Sequence, residues 1–105
     1  STTCEPCKRE LPAFAAAHNA FGDRVRFVGI NSGGDTVAEA AAFAEKYGVN
    51  YEMLKDPVGE FMAKLRVTSQ PYTLFIAADG TIVEQKGLEL SEATIRATIT
   101  DTLLS

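Results

Sequence analysis

Apolar residues recur along this chain in two alternating rhythms, and that alternation most restricts what the chain can fold into. From about Lys8 to Ala20, Leu11, Phe14, Ala15, Ala17 and His18 return at three- and four-residue steps, the spacing of a helix face. Pro12 inside this stretch removes a backbone donor and predicts a kink, and Gly22-Asp23 closes the element. Val25, Phe27, Val28 and Ile30 then form a short β-branched run that reads as a buried strand. Ser32-Gly33-Gly34-Asp35 is a loop with a helix cap at Asp35 or Thr36, and Val37 to Tyr47 reads as a helix with Val37, Ala40, Ala41, Ala44 and Tyr47 along one side. Gly48 suits the left-handed residue that ends such a helix.

The second half repeats the alternation. Tyr51–Leu54 reads as a short strand, Asp56-Pro57 as the cap and first turn of a helix faced by Phe61, Met62 and Leu65. Tyr72–Ala77 and Thr81–Gln85, two apolar runs around Asp79-Gly80, form a hairpin signal. Ser91 to Leu104 reads as a capped helix with Ile95, Ile99 and Leu103 inward. The order α, β, α, short β, α, β-hairpin, α predicts an α/β sandwich with a mixed sheet. With 105 residues and neither repeat nor linker, residues 1–105 form one domain. One element is lacking: an α/β unit feeds its helix from the sheet, yet no strand stands before the first helix. The expectation is a domain whose N-terminal strand lies ahead of Ser1, in a chain that opens on Ser rather than Met.

Charge and cysteine usage narrow the chemistry. Ten basic residues against fourteen acidic ones give a net charge of −4, and the densest basic spot is Lys8-Arg9. That balance argues against nucleic acid or an anionic membrane surface as partner. No apolar run reaches the roughly 18–20 residues of a membrane span, and no basic start with an apolar stretch marks a signal peptide. The two cysteines, Cys4 and Cys7, are the only ones. A zinc site would have to borrow His18 and carboxylates at no ligand spacing, so no metal is expected. Gly33-Gly34 lacks the spacing of a phosphate-binding loop, and no Ser-His-Asp arrangement suggests a hydrolase.

Cys4-Glu5-Pro6-Cys7 stands at the start of the first helix. There, unpaired N–H groups and a partial positive charge favour a thiolate on Cys4. Cys7 follows one turn later on the same side, placed to attack a mixed disulfide, and Pro6 fits a turn where a missing N–H costs nothing. Cys4 is thus the expected attacking thiolate and Cys7 the resolving thiol. A loop this short stabilises a fold little, so a purely structural bridge explains the pair less well. Further on, Pro71 stands directly before the apolar run Tyr72-Thr73-Leu74-Phe75-Ile76. A cis Gln70–Pro71 bond would leave backbone groups free for an extended substrate, but base rates alone favour trans, since only about 5–6% of such bonds are cis in folded proteins.

With these motifs in view, the chain resembles the thioredoxin superfamily, and within it the TlpA/ResA-like (redoxin) thiol–disulfide oxidoreductases. The resemblance rests on Cys4-Glu5-Pro6-Cys7, on Pro12 in the helix, and on Gln70-Pro71-Tyr72-Thr73-Leu74-Phe75-Ile76 followed by Asp79-Gly80. The Phe27–Asn31 strand and the Asp35–Tyr47 helix look like the insertion that separates this branch from plain thioredoxin. The resemblance implies a thioredoxin-like three-layer α/β/α sandwich with a mixed central sheet, here without its N-terminal strand. It implies that Pro71 is a cis-proline facing the cysteines, and that Glu5 and Pro6 join Gln70 and Pro71 on the substrate-facing surface. It suggests Asp35 as a proton relay for the resolving thiol, beside the plain reading of that residue as a helix cap.

The implied activity is disulfide exchange with protein thiols or disulfides, such as apocytochrome c or other thioredoxin-like proteins. The implied setting is extracytoplasmic, with no cofactor beyond the cysteine pair. Two features depart from the family pattern: Thr3 stands where Trp usually precedes the first cysteine, and the chain has no Trp at all. Two rival readings are a peroxiredoxin-like peroxidase, against which the closeness of Cys7 speaks, and a redox-inactive thioredoxin-like binding module.

Overall fold

A computed structural model describes residues 3–105, leaving Ser1 and Thr2 outside the description. Its elements follow the expected order: α1 (Glu5–Phe21), β1 (Val28–Ser32), α2 (Val37–Lys46), β2 (Glu52–Asp56), α3 (Glu60–Lys64), β3 (Thr73–Ile76), β4 (Ile82–Lys86) and α4 (Glu92–Thr102). Local chemistry accounts for the helix ends. Thr36 caps α2 in a full capping box: its hydroxyl accepts from the Glu39 N–H at 3.1 Å, and the Glu39 carboxylate accepts from the Thr36 N–H at 2.9 Å. Ser91 caps α4 by accepting from the Thr94 N–H at 3.2 Å. Gly48 after α2 has φ of 76°, which a side chain would resist.

The start of α3 corrects the sequence reading. Asp56-Pro57 does not open the helix directly; a turn intervenes and Gly59 is the N-cap, with no side-chain bond of its own. Asp56 still supplies the missing acceptor from a distance. Its carboxylate accepts the N–H groups of Phe61 and Met62, each at 3.1 Å, and the Ser32 hydroxyl at 3.4 Å. Burial alone would push this carboxyl up, but the converging N–H and O–H donors outweigh burial and hold it below its ordinary value. Asp56 therefore contributes stability above the unfolded carboxyl pKa, and that contribution is lost as pH falls through the lowered folded value.

The core forms where α1 and α4 pack over β3. Ala17 and Phe21 from α1, Phe75 from β3, Leu90, and Ile95 and Ile99 from α4 are buried together, with Phe14, Val25, Phe27 and Leu103 around them. Ile95 is fully buried. Ile95→Ala removes its packing and leaves a cavity; an unfolding free energy lowered by about 2–5 kcal/mol is the expected result of denaturant titration.

Pairing among the strands is mixed, as expected. β1 and β2 are parallel, Val28 opposite Glu52 through Ser32 opposite Asp56, and β3 and β4 are antiparallel, with a register shift between Phe75 and Ile76. Among the described residues the two ladders are not hydrogen-bonded to each other. A cleft of about 1050 Å³ lies along both β1 and β3. This opening corrects the expectation that β1 is buried: Val28 and Ile30 are 39% and 37% exposed, while Asn31 and Ser32 at its end are buried. The α2 face is also less covered than its pattern suggests, with Ala44 its one buried residue and Val37 exposed.

Candidate active site

The site begins with a helix end. Cys4 is the N-cap of α1, with extended backbone (φ −86°, ψ 102°), and its Sγ accepts the Cys7 N–H at 3.3 Å. A sulfur in this position stands in for the oxygen of an ordinary capping side chain, against the positive end of the helix. Pro6 occupies the first turn, where its lack of an N–H leaves no bond unmade. Cys7 comes round on the next turn, and the two sulfurs are bonded at 2.12 Å. Lys8 pairs with Glu5 at 3.0 Å on the surface, and Arg9 pairs with Glu89 at 2.9 Å. Glu5 is thus an exposed partner of Lys8 beside the cysteines.

The loop before β3 meets this helix end from the other side. The Gln70 Oε1 lies 4.0 Å from Cys7 Sγ, and the Gln70 Nε2 donates to Met62 Sδ at 3.7 Å. The Gln70–Pro71 peptide bond is cis, and Pro71 is buried. Residues 63 positions apart in the chain are so brought to one spot: Cys7, Gln70 and Pro71 all line the cleft between the ladders. Met62, on the face predicted for α3, supports the Gln70 side chain through its sulfur.

Asp35 directly precedes the N-cap of α2. Its carboxylate accepts from the Asn31 side-chain amide at 3.3 Å, its backbone carbonyl accepts from Lys55, and the capping role falls to Thr36. It is not among the residues that line the cleft beside Cys7.

Sequence reasoning passed over Glu10. This residue is 6% exposed, on α1 three positions after Cys7, and it lines the same cleft. Its Oε2 accepts the Leu90 N–H at 2.8 Å. Burial pushes its carboxyl up to about 7; the Leu90 N–H opposes this, and the nearby Glu89 charge adds to it. Tyr51, facing the same cleft, is pushed up to about 12 by burial and by the Glu10 charge. The signal in the sequence was spacing: 7, 10, 11 and 14 share one side of a helix, so a carboxylate at 10 points where Leu11 and Phe14 point. His18, on the same helix, packs edge-on against Phe27 and Tyr51 with ring centroids 5.3 and 5.4 Å away, which fits its place on the predicted helix face.

Among the described residues no cluster of His, Cys, Asp and Glu is arranged to hold a metal ion, and no helix is long and apolar enough to cross a membrane. The arrangement is one of thiol chemistry: a helix-capping sulfur, a second sulfur one turn on, and a buried carboxyl that changes charge near neutrality.

Comparison with known proteins agrees with that chemistry. Residues 1–85 match the sequence model of the AhpC/TSA family. The thiol-disulfide oxidoreductase ResA of Bacillus subtilis is 32% identical over 84 residues, which cover 79% of this chain and 46% of ResA. The soluble secreted antigen MPT53 of Mycobacterium tuberculosis is 38% identical over 81 residues, 74% of this chain and 44% of the antigen. The chain thus spans about half the length of these relatives. Among solved structures, a secreted M. tuberculosis disulfide oxidoreductase homologous to E. coli DsbE superposes with a TM-score of 0.84 at 27% identity, covering 94% of this chain and 74% of that one. The fold is therefore thioredoxin-like, and the chain belongs to the AhpC/TSA family, on its TlpA/ResA-like side.

Proposed function

We propose that this domain exchanges disulfides with protein substrates outside the cytoplasm, through Cys4 and Cys7. The observation that carries the reading is the Cys4 sulfur acting as N-cap of α1 while bonded to Cys7, with Gln70 and Pro71 beside them. In the reducing direction, the Cys4 thiolate attacks one sulfur of a substrate disulfide. A mixed disulfide forms and one substrate thiolate leaves. The Cys7 thiolate then attacks Cys4 Sγ, the Cys4–Cys7 bond forms, and the second substrate thiolate leaves. Two electrons pass from the pair to the substrate; oxidation of a substrate dithiol runs the same steps backwards.

Glu10 fits the role of proton acceptor for Cys7. It lies on the same side of α1, it is sheltered, and near neutrality it exists in both protonation states. Gln70 and Pro71, with the exposed Glu5 and Pro6, form the rim a substrate segment would meet. Asp35, bonded to Asn31 and not itself among the lining residues, is the weaker candidate for the relay. The secreted relatives support protein thiols or disulfides of an extracytoplasmic compartment as substrates, apocytochrome c or another thioredoxin-like protein among them.

Reduction of insulin by the domain in the presence of dithiothreitol tests the reading. Turnover well above the dithiothreitol background, without consumption of hydrogen peroxide, is expected. Peroxide consumption without insulin turnover would transfer the assignment to a peroxidase, and loss of both would leave a binding module.

A further inference from the structure

Two consecutive residues of α1 are tied to two consecutive residues of the loop between β4 and α4. The Leu90 N–H donates to Glu10 Oε2 at 2.8 Å. Beside it, the Arg9 guanidinium donates to Glu89 Oε1 from Nε at 3.0 Å and from Nη2 at 2.9 Å. The first rung is buried and the second exposed. The inner side of the loop is fixed by packing, because the Leu90 side chain sits in the core with Phe21, Phe75 and Ile95. On its outer side Leu88 is exposed, and the Arg9–Glu89 pair fastens the loop to α1 there.

Glu89 bears on Glu10 through charge as well as through the chain. It stands next to the residue whose N–H holds Glu10, and its charge pushes the Glu10 carboxyl up, against the pull of that N–H. The other titratable groups on the cleft beside Glu10 are Cys7 on its own helix and Tyr51 opposite, which is pushed up to about 12 and so is uncharged at neutral pH. His18, two turns further along α1, packs against Phe27 and Tyr51. Arg9 is the counter-charge that Glu89 meets. Without Arg9 two changes act in one direction: the Glu89 charge is no longer offset, and the loop is freer to draw the Leu90 N–H away. Each favours the protonated form of Glu10. An exposed ion pair contributes little to folding, so its effect is expected in the titration of Glu10 rather than in stability.

We propose that the Arg9–Glu89 ion pair is a positioning clamp for Glu10: it holds the Leu90 N–H in place against α1 and offsets the acidic charge beside that carboxyl, which leaves Glu10 able to take and return a proton. Arg9 and Glu89 act through Glu10, and neither lines the cleft with Cys7. The role rests on Glu10 as the proton acceptor of Cys7.

The test follows the Glu10 carboxyl carbon by NMR across pH in the reduced domain, its signal assigned by its loss in Glu10→Gln, alongside the pH dependence of insulin reduction. Arg9→Gln is expected to raise the Glu10 midpoint by about 0.5 pH unit and to move the rate limb with it. Arg9→Lys keeps the charge and is expected to titrate near the wild type. The exchanged pair, Arg9→Glu with Glu89→Arg, keeps the clamp but sets a cation beside Glu10, and its midpoint is expected below the wild-type one. An Arg9→Gln midpoint equal to the wild type would overturn the proposal. So would an Arg9→Lys variant or an exchanged pair that titrates as high as Arg9→Gln. Midpoints that shift as expected while the rate shows no limb would remove Glu10 from the reaction and leave the clamp standing.

Discussion

Replacing Cys4 with serine is expected to remove insulin reduction by about three orders of magnitude or more, because the substitution takes away the atom that attacks. Cys7→Ser is expected to stop the cycle at a different point. The Cys4 sulfur still sits at the N-cap of α1, so the first attack proceeds, but nothing follows to release the substrate. The variant should accumulate a covalent adduct with a protein disulfide substrate, visible as an added mass and reversed by dithiothreitol. The pair of variants separates the two roles by product. Adduct formation by Cys4→Ser and not by Cys7→Ser would reverse them.

Glu10→Gln carries the second large effect. The wild-type carboxyl changes charge at about 7, so the rate of disulfide exchange is expected to show a limb near that pH. The variant has no proton to exchange there; the limb disappears, and turnover at neutral pH falls by about 100-fold or more. Stability moves the other way, because the folded state holds the Glu10 proton more tightly than the unfolded chain does. The contribution of this group is therefore fully present below the unfolded carboxyl pKa, near 4.5, and is lost as pH rises through about 7. With allowance for water reaching the cleft, its size is on the order of 2 kcal/mol. Urea titrations at pH 5 and pH 8 should show the wild type losing that stability at the higher pH, and Glu10→Gln losing much less. A variant with the wild-type pH–rate limb would remove Glu10 from the proton path.

Why Glu10 escaped the sequence reading while Cys4 and Cys7 did not is a matter of what a sequence encodes locally. The cysteine pair depends on one turn of helix and its N-terminus, and both are legible from four adjacent residues. Element order was legible too, because Leu11 to His18 and Ile95 to Leu103 repeat at helical spacing, while Asp79-Gly80 sits between two β-branched runs. Glu10 depends on burial, which its own residue type argues against, and on the Leu90 N–H eighty positions away. The meeting of Gln70 with Cys7 is non-local in the same way; the resemblance to the family supplied it, and spacing did not. Asp35 is the reverse case, a charged residue before a helix whose relay role came from the resemblance, while the capping bond is made by Thr36 and one carboxylate oxygen accepts from Asn31. The exposure of Val28 and Ile30 had no local signal, since a β-branched run looks the same whether or not a strand lies beside it.

At the centre of the account is a sulfur whose charge is favoured by the helix it caps. Titration of the Cys4 thiol in the reduced domain, followed by thiolate absorbance in Cys7→Ser, measures that directly. The expected pKa lies clearly below the value of about 8.5 for a free cysteine, within the range helix N-termini produce. A pKa at or above the free value would contradict it.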